Sequence, residues 1–581
     1  MKKNSPNIHY FVSMSCPESH LFEVTLNIDN WQEKTLDLKM PVWTPGSYLV
    51  REYSRHLQNF TAHLTDNNSN LIWEKKAKNH WLIDTLEQSQ ITIKYQIYAN
   101  DLTVRTNHLD STHGYFNGAA LFFYIPNYEN LPLKITINPP QSHWQISTSL
   151  PKIQSLENTF LADNFDTLVD SPFEIGTQKI YDFEVENKPH QWVIWGDGNI
   201  EIKKLIQDTE KIIKTEEKIF GNLPYDNYFF LLHLSASGFG GLEHKNCCVL
   251  NYPRFGFKKS EKYYRFLQLV AHEYFHLWNV KRIRPKALEN FNYEQENYTT
   301  SLWFSEGTTS YYDMIIPLRA GIYNHKTFFE LLSKDISQYL TIPGRNIQPL
   351  SESSFDAWIK LYRRDAYSNN CQISYYLKGQ LVTLLLDLLI RKNSDNEKSF
   401  DDIMKSMWLK FGQKEIGFSP EQLKKEIELI ANTNLTEFFQ LYLDSTADLP
   451  FNEYFEPFGL KLEPQIDVNI PPYLGLNIQR KNGNEEITFV DANSPAGKVG
   501  IEAGDELLAI DGFRVNIDNL TDRLLDYQPN DTIKLSYFHQ EELKTVEIKL
   551  ATPQTSNYQV KMIDNPTKKQ QEMLKKWLYV I

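Results

Sequence analysis

The sequence predicts a multidomain α+β protein, and three changes of pattern along its 581 residues predict it. Up to about residue 185 short alternating runs dominate. From there to about 455 apolar residues recur at helical spacing, and beyond about 465 short alternating runs return around a single helix. A chain of this length has room for two to four domains. Its 41% hydrophobic content is that of globular cores rather than of a disordered chain.

Residues 1–185 are read as an antiparallel β domain from "FEVTLNI", "KTLDLKMPVW", "ITIKYQIYA" and "LKITINP". Alternation gives each run one face for a core and one for solvent, and turn clusters such as "DNNSN" and "TPGS" separate the runs. At "NIEIKKLIQDTEKIIKTEEKIFGN" the period changes. Ile202, Leu205, Ile206, Ile212, Ile213, Ile219 and Phe220 fall on one helical face, and Gly221 is placed to end the helix. Helical patterns dominate to about residue 445, so 186–455 is expected to be a mainly helical domain. "LEPQIDVNIPP" is a Pro-containing linker. In residues 465–555, "YLGLNIQ", "EITFV", "ELLAIDG", "TIKLSYF" and "TVEIKL" are strands around the short helix "NIDNLTDRLLDY". Residues 556–581 are a tail that ends in a helix, "NPTKKQQEMLKKWL".

Composition narrows the function. A net charge of −13 leaves no broad basic footprint for a nucleic acid. Four cysteines, Cys16, Cys247, Cys248 and Cys371, are too few for a disulfide scaffold, and Cys247 and Cys248 read as buried strand residues. The first twenty residues contain no continuous apolar stretch of the kind a secretory signal needs. The greasiest run, "LVTLLLDLLI" at 381–390, is too short to span a bilayer and is interrupted by Asp387. A soluble, cytoplasmic protein with no nucleic-acid or membrane partner is expected.

The chemistry centres on "LVAHEYFHLW", Leu269 to Trp278. A helix turns about 100° per residue, so His272 and His276 lie on one face a turn apart, with Glu273 beside that face. Two imidazoles at this spacing can bind one zinc ion while the glutamate reaches a water beside it. Phe266, Leu269, Val270 and Leu277 supply an apolar stripe that buries the helix. The plainer alternative is a buried helix whose imidazoles are bonded to carbonyls. A third ligand has to come from elsewhere, and "ENYTTSLWFSEGTTSYYD" offers Glu296, Glu306 and Asp313. Glu306, among aromatics and before Gly307, is placed for burial, and a buried carboxylate needs a partner such as a metal. Glu296 lies in a polar stretch, "YEQENY", that resembles a helix start. Two histidines, one glutamate and an open position make the catalytic type of zinc site.

Two further stretches suit peptide cleavage. "SGFGGLEHKN" sets Gly238, Gly240 and Gly241 before Glu243: glycines let a backbone approach a ligand, and the glutamate can pair with a positive group. "ISYYLKGQLV" puts Tyr375 and Tyr376 at a helix start, where a phenol can donate to a developing oxyanion. Alone, such glycines commonly mark turns and such tyrosines core.

Together, "GGLEHKN", "HEYFHLWNVKRIRP", "ENYTTSLWFSEGTTSYY" and "SYYLKG" resemble the glycyl aminopeptidase family of gluzincin metallopeptidases. "MPVWTPGSYLVREYSRHLQNF" is similar to the hallmark of that family's β domain, and "YLGL" with "SPAGKVGIEAGDELLAIDG" is similar to a PDZ domain, which family members carry. The resemblance covers nearly the whole chain. It implies a thermolysin-like catalytic domain in 186–455 and a PDZ domain in 465–555. It also implies one zinc ion per chain on His272, His276 and Glu306, with Glu273 as general base. Glu243 matches the glutamate of the "GxMEN" pattern of gluzincin aminopeptidases, which would hold the substrate's free N-terminal ammonium beside Gly240 and Gly241. Tyr376, matching the tyrosine of "Y-x-K-G", would stabilise the tetrahedral intermediate. Two features depart from the wider clan: His244 stands where its pattern has Asn, and the interval from His276 to Glu306 is longer.

The expected function is therefore that of a zinc aminopeptidase acting on peptides with a free N-terminus, with the family implying a preference for Gly and Ala. The PDZ groove would be available to a peptide C-terminus. An endopeptidase, or a PDZ-based peptide-binding scaffold with a vestigial metal site, is the alternative.

Overall fold

The alternating runs of the first third of the chain form strands, as their period requires. Leu21–Asp29 pairs with Asn7–Ser13 on one side and Gln90–Tyr98 on the other, in a six-stranded sheet that also contains Leu57–Leu64, Leu133–Asn138 and Thr159–Ala162. Phe22, Val24, Leu26 and Ile28 enter the core while the residues between them stay half-buried. Asn7–Ser13 pairs with Leu133–Asn138 in parallel, so this β domain is not purely antiparallel.

The computed structural model describes residues 5–465 and 470–579. It divides into two compact units. The first is Met1–Thr299, Tyr312–Tyr323 and Asp401–Leu423, and the second is Thr300–Tyr311, Asn324–Phe400 and Lys424–Ile581.

Within the first unit a five-stranded sheet accompanies the helices expected beyond residue 200. Its order is Lys179–Val185, Lys188–Trp195, Tyr228–Ser235, Cys247–Pro253 and Gly240–Glu243. The three central strands are parallel, and Gly240–Glu243 lies antiparallel at the edge. Tyr228–Ser235 is buried along almost its whole length, so it shows no alternation, and its apolar run blends into the helical patterns around it. Cys247 and Cys248 lie buried in this sheet. The helix Ile202–Phe220 ends at Gly221, whose φ of 87° is the left-handed cap that glycine supplies. It packs on the helix Ser260–Phe275, which in turn covers the strands Gly240–Glu243 and Cys247–Pro253.

In the second unit the apolar run at 381–390 belongs to a longer helix, Tyr375–Asn393. The stretch Ser368–Asn393 is long and apolar enough to cross a membrane by length and composition, and 83% of its apolar window is buried inside the protein. Asp387, the polar residue in that run, is 1% exposed and fully engaged. It accepts hydrogen bonds from the Tyr311 hydroxyl (2.6 Å), Arg391 Nε (3.0 Å) and the Phe400 amide (2.8 Å). Leu476–Lys481, Asn484–Val490, Glu506–Ile510, Thr532–His539 and Glu542–Lys549 form a PDZ-type sheet with the helix Leu520–Leu525. The linker's first residues form the strand Leu460–Pro464, paired with Tyr558–Met562, while its residues 466–469 lie outside the described residues. The tail helix Lys568–Leu578 starts with a capping box at Thr567 and Gln570 and buries Trp577, whose indole donates to the Tyr311 hydroxyl at 3.2 Å.

Candidate active site

Ser260–Phe275 carries His272 and Glu273, and His276 follows at its C-terminal cap, its amide bonded to the His272 carbonyl. Helical spacing thus brings the two rings to 4.6 Å between centroids. Each ring is fixed through Nδ1: His272 donates to Asp313 Oδ2 at 2.8 Å, and His276 donates to the Asn279 carbonyl at 2.7 Å. A neutral imidazole whose Nδ1 holds the proton carries its lone pair on Nε2, which is the ligand atom zinc takes. The donor set fits the metal.

Glu306 is 2% exposed and sits on a π-helical turn, Trp303–Gly307, that leads into the helix Thr308–Arg319. Single π turns inside helices cluster at functional sites. The glycines of the two motif stretches explain each other here. A Cβ on Gly307 would lie 2.6 Å from the Gly379 Cα, and one on Gly379 would lie 2.8 Å from the Trp303 carbonyl oxygen. The helical segments bearing Glu306 and Tyr376 touch backbone to backbone, and only glycine permits that. The Tyr376 hydroxyl is 2.8 Å from that of Tyr362, and the Tyr375 and Tyr376 rings stack at 4.7 Å.

One ligand atom from each of His272 and His276 lies within 4.8 Å of the other. Glu243, Glu273 and His276 form a second such group, all three buried. Glu296 lies in an irregular segment, not at a helix start, and belongs to no group of this kind among the described residues.

The strand Gly240–Glu243 passes against Glu273: a Cβ on Gly241 would collide with that carboxylate. Gly240 has a φ of 142°, and the Gly241 carbonyl accepts from Arg105 Nη2 at 3.0 Å. Glu243 is 3% exposed, and its Oε1 has no hydrogen-bond partner. His244, where the wider pattern has Asn, bonds Asp170 at 3.1 Å and so belongs to the scaffold rather than to the cleft. Asp170 also takes Lys281 Nζ at 2.6 Å; burial pushes its carboxyl up, but Lys281 and His244 outweigh that and hold it well below the usual range.

Sequence reasoning missed several residues of this region. Asp313 was one of three carboxylates with no signal separating a ligand from a partner of a ligand. Tyr362 and Arg105 come from segments with no catalytic pattern, and Gly46 lies in a stretch that read as a turn and as the family's β-domain hallmark, with no sign of a carboxylate partner.

In the PDZ sheet, a groove of about 500 Å³ is lined by Tyr473, Leu474, Gly475 and Leu476 together with Leu520 and Leu524.

Three family models match successive parts of the chain: the Peptidase M61 N-terminal domain over residues 9–177, M61 glycyl aminopeptidase over 265–382, and a PDZ domain over 472–550. The crystal structure of an aminopeptidase N family protein from Idiomarina loihiensis is similar along both chains. The two share 31% identity over 98% of this chain and 100% of that one, with a TM-score of 0.92. Fold and matches define a hydrolase of the metallo-aminopeptidase class. Within that class, the chain belongs to the M61 glycyl aminopeptidase family. More distant structures include an M1 zinc metallopeptidase from Deinococcus radiodurans (10% identity, 77% of this chain and 96% of that one, TM-score 0.48). Another is a yeast LTA4 hydrolase in complex with bestatin (14% identity, 77% and 69%, TM-score 0.46). No curated protein sequence matches the chain.

Proposed function

We propose that this metallo-aminopeptidase removes the first residue from peptides with a free N-terminus. In this reading one zinc ion per chain is held by His272, His276 and Glu306, and glycine and alanine are the preferred first residues. The observation that carries it is Glu243. Its carboxylate is buried in one group with Glu273 and His276, and one of its oxygens has no hydrogen-bond donor. Such an oxygen is costly in isolation. A substrate ammonium supplies charge and donors together, whereas an internal peptide bond supplies neither. Glu243 therefore sets the register at the first residue, with the backbone of Gly240 and Gly241 beside it.

Zinc, when bound, supplies Lewis acidity that polarises a carbonyl and acidifies water. Glu273 takes the proton of the attacking water and returns it to the leaving amine. Tyr376 donates to the oxygen on which negative charge develops, and its bond to Tyr362 orients it. Asp313 and the Asn279 carbonyl keep the two imidazoles in the tautomer a metal needs. The preference for small first residues is supported by the family's description as glycyl aminopeptidases. The groove beside Tyr473–Leu476 is read as a site for a peptide C-terminus, the mode of PDZ domains.

A panel of aminoacyl p-nitroanilides and their N-acetyl forms, with and without chelator, tests this reading. Chelator-sensitive cleavage of the free glycine and alanine compounds is expected, with the acetylated ones left intact. Equal cleavage of free and acetylated compounds would make the enzyme an endopeptidase.

A further inference from the structure

Val280 stands four residues beyond His276 with a backbone φ of 120°. Few residues other than glycine adopt this region, and a β-branched side chain is the least suited to it. The conformation is imposed from both sides. The Asn279 carbonyl accepts from His276 Nδ1 at 2.7 Å, and the Lys281 amide donates to the His276 carbonyl at 3.1 Å. A glycine would relieve the strain, yet a valine is kept. Strain of this kind clusters at functional sites.

Val280 lies in the wall of a small cavity that reaches Glu243. The other walls include Trp43, Pro45, Gly46, Leu288 and Phe291, and the free space is about 20 Å³. That is room for a water-sized group and little more. Pro45 and Gly46 of those walls are the centre of the turn Thr44–Ser47, closed by the Ser47 amide on the Thr44 carbonyl at 3.1 Å. Proline in its second position and glycine, at a φ of 85°, in its third make it a type II turn. A Cβ on Gly46 would lie 2.5 to 2.7 Å from the atoms of the Glu243 carboxylate. Glycine is thus required twice, by the turn and by the carboxylate pressed against it.

We propose that Val280 and the Thr44–Ser47 turn are the specificity determinants: together they bound the space beside Glu243 that receives the substrate's first side chain, and they admit only a hydrogen or a methyl. This rests on Glu243 as the amine anchor and adds what shapes the pocket around it. Val280 acts by filling the space. Gly46 acts through Glu243, as a positioning residue that keeps the carboxylate where the ammonium arrives.

Selectivity is the readout, because a merely structural role would change all substrates alike. Val280→Ala keeps the backbone strain but opens the pocket. It should raise the ratio of kcat/KM for leucine over alanine p-nitroanilide by about tenfold or more, the order that one or two carbons in a pocket control. Gly46→Ala should lower kcat/KM for every free-amine substrate by about tenfold or more, chiefly through KM, because its Cβ displaces an anchor whose charge-assisted bond the substrate needs. Thermal unfolding followed by circular dichroism establishes that each variant is folded. Should Val280→Ala not fold, Phe291→Ala opens the same space from another wall and is read by the same ratio. An unchanged leucine-to-alanine ratio in whichever of these variants folds overturns the proposal. Failure of the anchor itself registers elsewhere, as wild-type enzyme cleaving N-acetyl-alanine p-nitroanilide as fast as the free compound.

Discussion

Glu174 and Glu243 lie on strands of the same unit, 0% and 3% exposed, and the protein treats them in opposite ways. Glu174 is closed between two imidazoles, with His113 Nδ1 at 2.8 Å from one oxygen and His233 Nε2 at 2.9 Å from the other. Burial pushes its carboxyl up, but the two histidines outweigh burial and bring it down to about 2. Glu243 shares its surroundings with a second carboxylate, Glu273, and retains an oxygen without a donor. A buried charge that its neighbours complete belongs to the fold. One that its neighbours leave incomplete is, in the proposed function, completed by the substrate's ammonium.

The largest effect expected from breaking this contrast is on turnover. Glu273→Gln keeps the shape of the side chain but cannot accept the water's proton, so kcat should fall by roughly 10²–10⁴ while bound zinc is unchanged. Steady-state kinetics together with metal analysis check both halves. Near-normal turnover would remove Glu273 from the mechanism.

On the closed side, Glu174→Ala leaves two buried histidines without their carboxylate and should cost about 3–5 kcal/mol of stability. Denaturant unfolding measures that loss, and kcat of the folded fraction should stay at the wild-type value. A fall in kcat at unchanged stability would reverse the roles assigned to the two glutamates.

Acid should sharpen the same distinction. Burial of His190, which bonds the Lys188 carbonyl and the Tyr225 hydroxyl, lowers its pKa from 6.5 to about 4. Its neutral form is the one the fold prefers, so stability is complete above about 6.5 and falls as pH drops towards 4, by about 3 kcal/mol in all. His233, lowered by burial in the same direction, adds to this loss. Glu174, depressed from 4.5 to about 2, contributes stability that is present above 4.5 and lost as pH falls through 2. The unfolding midpoint should therefore decline in two stages, and Glu174→Gln should flatten the lower one. A midpoint that is constant from pH 7 to 3 would contradict the burial assigned to these groups.

The smallest effect belongs to Asp313. In the proposed site its bond to His272 Nδ1 orients a zinc ligand, so Asp313→Ala should weaken zinc binding by about 10–100-fold. Glu306→Ala should lose the metal altogether, and Glu296→Ala should not. Competition with a chromogenic chelator ranks the three variants.

Much of this was legible in the sequence where a residue's local pattern states its environment. Alternation placed the strands around Val24 and Ile93, helical spacing placed His272 and His276 together, and Gly221 ended its helix as expected. Legibility failed where the environment is set at a distance. The strand Tyr228–Ser235, buried on both faces, has no period to read. Gly46 and Glu243 meet across nearly two hundred residues, and nothing local in "TPGS" announces a carboxylate partner. The C-terminal helix looked like a tail, yet Trp577 reaches Tyr311 and the strand Tyr558–Met562 pairs antiparallel with Leu460–Pro464 from before the PDZ sheet. Trp577 and Leu578 are part of the buried core of their unit.

The amine-anchor role of Glu243 is tested most directly by kcat/KM for alanine p-nitroanilide and its N-acetyl form, in wild type and in Glu243→Ala. The wild type should reject the acetylated compound strongly. In the variant, the free-amine substrate should lose about 2–4 kcal/mol of transition-state stabilisation, the order seen when one partner of a buried charged pair is removed, and the gap between the two compounds should narrow. A wild type that cleaves both compounds equally, or a variant in which the gap stays as wide as before, would contradict that role.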